Sequence, residues 1–81
     1  MALGTITLNV KVEGKIRLLE LRPSIPLKEV RALVGALVGM SPRRVRLRWG
    51  GRVLRGSRTL AGEDVPPRAS IEASVTLLGG L

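Results

Sequence analysis

The sequence contains no cysteine and no histidine. Without cysteine there is no disulfide framework, no thiolate nucleophile and no sulfur-based metal site. Without histidine the commonest zinc ligand and the commonest general base are missing as well. The six acidic residues are scattered along the chain, with no paired spacing suited to acid–base work. An enzyme is therefore not expected, and the sequence assigns no catalytic residue, metal or cofactor. Aromatic side chains are almost absent, with one Trp and no Phe or Tyr. That removes the platforms on which single-stranded nucleic acid stacks. No apolar run approaches the ~20 residues of a membrane-spanning helix, and the N-terminus lacks the charged-then-apolar pattern of a secretory leader. The expectation is a soluble, monomeric protein of the cytoplasm and/or nucleus, with no membrane partner.

What the chain has in quantity is positive charge. Its 81 residues carry a formal net charge of +8 and a pI near 11.8, which favours acidic partners such as nucleic acid, the ribosome or an acidic protein face. This length allows one domain, with a compact core because so small a domain buries a limited share of its surface.

Ile6, Leu8, Val10 and Val12 alternate with Thr5, Thr7, Asn9 and Lys11, the period of a half-buried strand. Glu13-Gly14 reads as a tight turn. The return strand starts with Ile16 and Leu18 on one parity and ends with Leu19 and Leu21 on the other. Such a change of face predicts a β-bulge near Leu18-Leu19. Pro23 and Pro26 close the hairpin. Leu27, Val30, Leu33, Val34, Leu37 and Val38 then recur at helical spacing, with Ser24 as N-cap, Gly39 beyond the last turn and Pro42 blocking continuation. Gly35 inside this helix costs about 1 kcal/mol relative to Ala.

Val45, Leu47 and Trp49 alternate with Arg44, Arg46 and Arg48 as a third strand, and Gly50-Gly51 turns into a short fourth around Val53-Leu54. Leu60 and Val65 anchor an irregular stretch closed by Pro66-Pro67. The last strand directs Ile71, Ala73 and Val75 inward, with Glu72, Ser74 and Thr76 outward. The order ββαβββ predicts an α+β fold, a sheet with one helix on one face. Residues 1–4 read as an N-terminal extension, 5–77 as the domain and 78–81 as a flexible tail containing Gly79-Gly80. Paired glycines lack Cβ atoms and pass through slots too narrow for other residues, but they also serve as linkers.

The stretch Val45-Arg46-Leu47-Arg48-Trp49-Gly50-Gly51-Arg52-Val53-Leu54, followed by Ser57-Arg58-Thr59-Leu60 and Val65, resembles the ubiquitin-like β-grasp family without a gap. Pro23-Ser24, Val30, Gly39 and Pro42 upstream, and Gly79-Gly80 downstream, fall at the matching spacing. The resemblance covers about residues 5–80 and implies an α+β fold with a mixed sheet packed on one helix. It implies a protein modifier made as a precursor, with a processing protease cutting after Gly80 and removing Leu81. E1/E2-type conjugation enzymes would then carry the Gly80 carboxylate to lysines of target proteins. Leu77, Leu78, Gly79 and Gly80 would form the conjugation and processing segment. Thr76 and Leu78 stand where ubiquitin has two arginines that its own activating enzyme reads.

The resemblance also places Arg48 and Ser74 at two positions of ubiquitin's apolar receptor patch, with the third near Lys11-Val12. Burying Arg48 unpaired in an apolar receptor surface would cost several kcal/mol, so ubiquitin's receptors are not expected to bind. Lys15 is the candidate acceptor lysine, because Arg31 and Arg52 replace two others. From Arg43 to Arg58 there are seven arginines and no acid. Arg44, Arg46, Arg48, Arg52 and Arg55, with Ser74, form a candidate face for an acidic protein or for rRNA phosphates. A solvated strand face explains the same charges. Trp49 reads as core or rim packing, and Gly50-Gly51 as a turn rather than a phosphate loop. Two other readings remain open on the sequence. One is a non-conjugated docking domain of a larger protein. The other is a basic ubiquitin-like domain associated with the ribosome or fused to a ribosomal protein.

Overall fold

A computed structural model describes residues 4–76; the expectations placed on Leu77, Leu78, Gly79, Gly80 and Leu81 lie outside the described residues. The chain runs β1 (Ile6–Val12), β2 (Lys15–Leu21), α1 (Leu27–Val38), β3 (Val45–Trp49), β4 (Arg52–Leu54) and β5 (Ser70–Val75). Short 3-10 turns at Pro42–Arg44 and Ala61–Glu63 lie between them. The strands form one sheet in the order β2-β1-β5-β3-β4. Among the described residues only the β1–β5 pair is parallel; the other strand pairs are antiparallel. This is the α+β arrangement expected of a β-grasp fold.

Strand alternation sends Leu8, Val10, Leu47 and Ile71 to the inner face, where they meet Leu27, Val30 and Val34 of α1 in one buried cluster with Leu54 and Leu60. No polar side chain is buried among the described residues. The core therefore stands on apolar burial, at about 1.5–3 kcal/mol for each fully buried large aliphatic side chain.

The first hairpin departs from the expected bulge. Its register is unbroken from Ile6↔Leu21 through Asn9↔Leu18 to Val12↔Lys15. Glu13 and Gly14 both have positive φ, 52° and 77°, the two-residue type I′ geometry whose twist matches a hairpin. That turn fixes the register, so the strand holds no extra residue. Ile16 and Leu18 lie instead on the outer face, 66% and 68% exposed. Leu19 and Leu21 alone of β2 pack with the core.

The start of α1 also differs. Its cap is Pro26, with no side-chain hydrogen bond, rather than Ser24. The Leu27 N–H donates to the Arg58 carbonyl at 2.7 Å, and Pro26 bridges to Thr59. A tertiary partner thus satisfies a helix-end donor that a local cap would otherwise take. At the other end Gly39 adopts the left-handed conformation, φ 71°, as expected. Gly35 is buried against the chain that follows: a Cβ there would sit 2.4 Å from the Met40 carbonyl oxygen.

Candidate protein-docking face

The parity that buries Val45, Leu47, Ile71 and Ala73 turns Arg46, Arg48, Glu72 and Ser74 outward. Register then sets their neighbours. Arg48 pairs with Glu72 on one side and Val53 on the other, while Arg46 pairs with Ser74. Glu72 in turn lies beside Lys11, and Lys11 beside Ile16. One row, Ile16–Lys11–Glu72–Arg48–Val53, therefore crosses all five strands. The next row places Leu18 beside Asn9 and Asn9 beside Ser70.

The arginines grouped together by the sequence are dispersed by the fold. Arg46 and Arg48 share the outer face with Ser74. Arg52 belongs to the opposite parity, paired with Trp49. Its guanidinium sits 5.4 Å from the centre of the Trp49 ring, a cation–π distance. It also meets the Glu63 carboxylate at 3.5 Å and donates to the Glu63 carbonyl at 2.6 Å. Arg58 approaches the same carboxylate at 3.2 Å and donates to the Gly62 carbonyl at 2.7 Å. Glu63 thus gathers two of the seven arginines at the rim, beside Trp49, which packs against the core.

Arg55 lies after β4, where it lines a cleft with Arg31 and Arg46 beside the part of β3 that β4 is too short to cover. Arg31 is tethered there by donating to the Gly56 carbonyl at 3.2 Å. Arg44 precedes β3, and its carbonyl accepts the Thr76 N–H at 2.8 Å. Lys15 is exposed at the hairpin turn. The outer face is consequently less basic than the sequence run: Glu72 stands between Lys11 and Arg48, and Glu20 shares the face from β2, opposite Thr7. Sequence reasoning directed Glu72 outward and set a patch position near Lys11-Val12, but it did not join them to Ile16 and Leu18 on one surface. An unbroken alternation in β2 would put Ile16 and Leu18 on one face together, but the pairing with β1 decides which face that is.

Among the described residues, no group of acidic side chains could hold a metal ion, and no helix is long and apolar enough to cross a membrane. No family model and no curated protein sequence matches the chain. Solved structures do match. Caldiarchaeum subterraneum ubiquitin superposes with a TM-score of 0.84 at 25% identity, over 95% of this chain and 100% of that one. The chain is ubiquitin-like. The same fold appears in the ubiquitin-like domain of an Arabidopsis thaliana protein, at TM-score 0.83 and 17% identity, over 91% of this chain and 80% of that one. It appears again in a chain of the pParkin–pUb–UbcH7 complex, at TM-score 0.82 and 22% identity. That match covers 90% of this ubiquitin-like chain and 23% of the other. At those two identities the likeness is one of fold alone.

Proposed function

We propose that this chain is a ubiquitin-like protein modifier or cleavable ubiquitin-like fusion partner, processed after Gly80 and joined through that carboxylate to lysines of target proteins. The observation that carries the proposal is the superposition along the full length of an archaeal ubiquitin, combined with a sequence that continues from Thr76 into Leu77-Leu78-Gly79-Gly80. The chain itself does no chemistry in this reading: Gly80 is the substrate of a processing protease and of E1/E2-type enzymes. Its receptors differ from those of ubiquitin, because exposed Arg48 occupies a place that the family resemblance gives to an apolar contact. An apolar receptor would have to bury that guanidinium without a partner. Lys15, exposed at the hairpin turn, is the acceptor for any self-linked chain.

The test is a blot, under reducing conditions, of the N-terminally tagged protein expressed in its native cells beside Gly79→Ala/Gly80→Ala. The expected result is a ladder of heavier bands that the double substitution abolishes. A shift in precursor size alone would retain processing and remove conjugation. One band, identical in both, would overturn the proposal and leave a non-conjugated docking domain.

A further inference from the structure

Two aliphatic side chains on the outer face lie outside the buried core. Ile16 and Leu18, 66% and 68% exposed, project side by side from β2 at the edge of the sheet. Solvent-facing positions of an edge strand ordinarily carry charge, which discourages adventitious pairing. Here the charges Lys15 and Arg17 occupy the other parity of the strand, and the apolar pair faces out. The pair forms a small exposed apolar patch rimmed by polar groups, which a partner's apolar side chains can cover.

Its surroundings define what it fits. Lys11 lies directly beside Ile16, and Arg48 stands beyond Glu72 in the same row. Arg46 extends the cationic side. A phosphate backbone draws affinity from many cations contacted together, whereas Glu72 and Glu20 interrupt this field and two aliphatic groups offer phosphates nothing. A second copy of the chain would bring another +8 of charge against the first. We infer that the outer face docks an acidic polypeptide segment with apolar anchors. Its apolar side chains cover Ile16 and Leu18, and its carboxylates meet Lys11, Arg48 and Arg46. This surface is independent of the fate of Gly80 and operates on the free or the conjugated protein.

The test is selection from a displayed library of random peptides against the full chain, followed by fluorescence-polarisation affinities for the selected peptides. Selected sequences are expected to combine acidic with aliphatic or aromatic residues. Ile16→Thr/Leu18→Thr, which keeps residues suited to a strand, should weaken binding at least about tenfold, equivalent to about 1.4 kcal/mol. Lys11→Gln/Arg48→Gln should weaken it and flatten its salt dependence. Leu33→Gln/Leu37→Gln, on the exposed side of α1, should leave it unchanged. The inference is overturned if no peptide is enriched, if the threonine pair binds as the parent does, or if selected peptides are acidic without apolar residues. It is equally overturned if a single-stranded RNA oligonucleotide binds more tightly than the peptides and is indifferent to Ile16→Thr/Leu18→Thr. Amide spectra of each variant establish that the fold is retained. The outcome is separable from the conjugation blot, which reads only the tail.

Discussion

Replacing Gly35 by alanine sets helix propensity against packing, and the geometry decides between them. In an open helix the change would stabilise the fold by about 1 kcal/mol. In this protein the new Cβ lies 2.4 Å from the Met40 carbonyl oxygen, and contacts below 3.0 Å essentially never occur. The opposing atom is backbone, and it is held in place. The Gly35 carbonyl accepts both the Gly39 N–H and, at 2.8 Å, the Met40 N–H. Met40 leads through Ser41 and the Pro42–Arg44 turn into β3, so moving it strains the entry to a central strand. Overpacking of this kind costs about 1–3 kcal/mol, and a backbone obstacle puts Gly35→Ala near the upper figure. Subtracting the propensity gain leaves a net loss of about 2 kcal/mol. At about 4–8 °C per kcal/mol for a domain of this size, the midpoint should fall by about 8–16 °C. Thermal unfolding followed by circular dichroism, with urea titration to check that the m-value is unchanged, measures this directly. A midpoint equal to or above that of the parent would refute the reasoning, because propensity would then outweigh the Met40 contact.

Two further changes test other parts of the fold. Glu13→Asn should raise stability by about 0.5–1 kcal/mol in urea titration, since Asn-Gly suits a turn that requires positive φ at both residues and Glu13 sits at 52°; an unchanged or lower midpoint would count against the turn assignment. Glu63→Gln should lower stability by about 1 kcal/mol, because it removes the carboxylate shared by Arg52 and Arg58 but leaves their bonds to the Glu63 and Gly62 carbonyls. That loss should shrink in concentrated salt, and a loss indifferent to salt would show that the ion pairs are not its source.

The helix and three of the strands, β1, β3 and β5, were legible because each repeats its apolar residues at the period of its own secondary structure, and the three-residue β4 was legible from the Gly50-Gly51 turn before it. Leu27, Val30 and Val34 recur at helical spacing, and Val45 and Leu47, like Ile71 and Ala73, recur every second residue. Those side chains are buried in the structure. β2 was legible as a strand and misread as bulged. The inference assumed that every aliphatic residue in it faces inward. A local pattern cannot distinguish an aliphatic side chain that fills the core from one left on the surface. The candidate face was legible in part: alternation alone directs Arg46, Arg48 and Ser74 outward, but proximity in sequence does not place neighbouring arginines on one surface.

The sequence by itself determined the order of elements, the inward set of each well-patterned strand, the turns at Glu13-Gly14 and Gly50-Gly51, and the exclusion of thiol and imidazole chemistry. These depend on backbone sterics and on the chemistry of side chains taken singly. Tertiary structure alone decided that Glu63 would draw Arg52 and Arg58 to the rim, and that the Arg58 carbonyl would receive the Leu27 N–H in place of a local cap. It also decided that Glu72 would stand between Lys11 and Arg48, and that Ile16 and Leu18 would face solvent. All but the last follow from the pairing of segments distant in the chain, whose register is fixed only when the sheet assembles; the hairpin turn sets the register of β2, and the packing of α1 on one face of the sheet leaves Ile16 and Leu18 on the other.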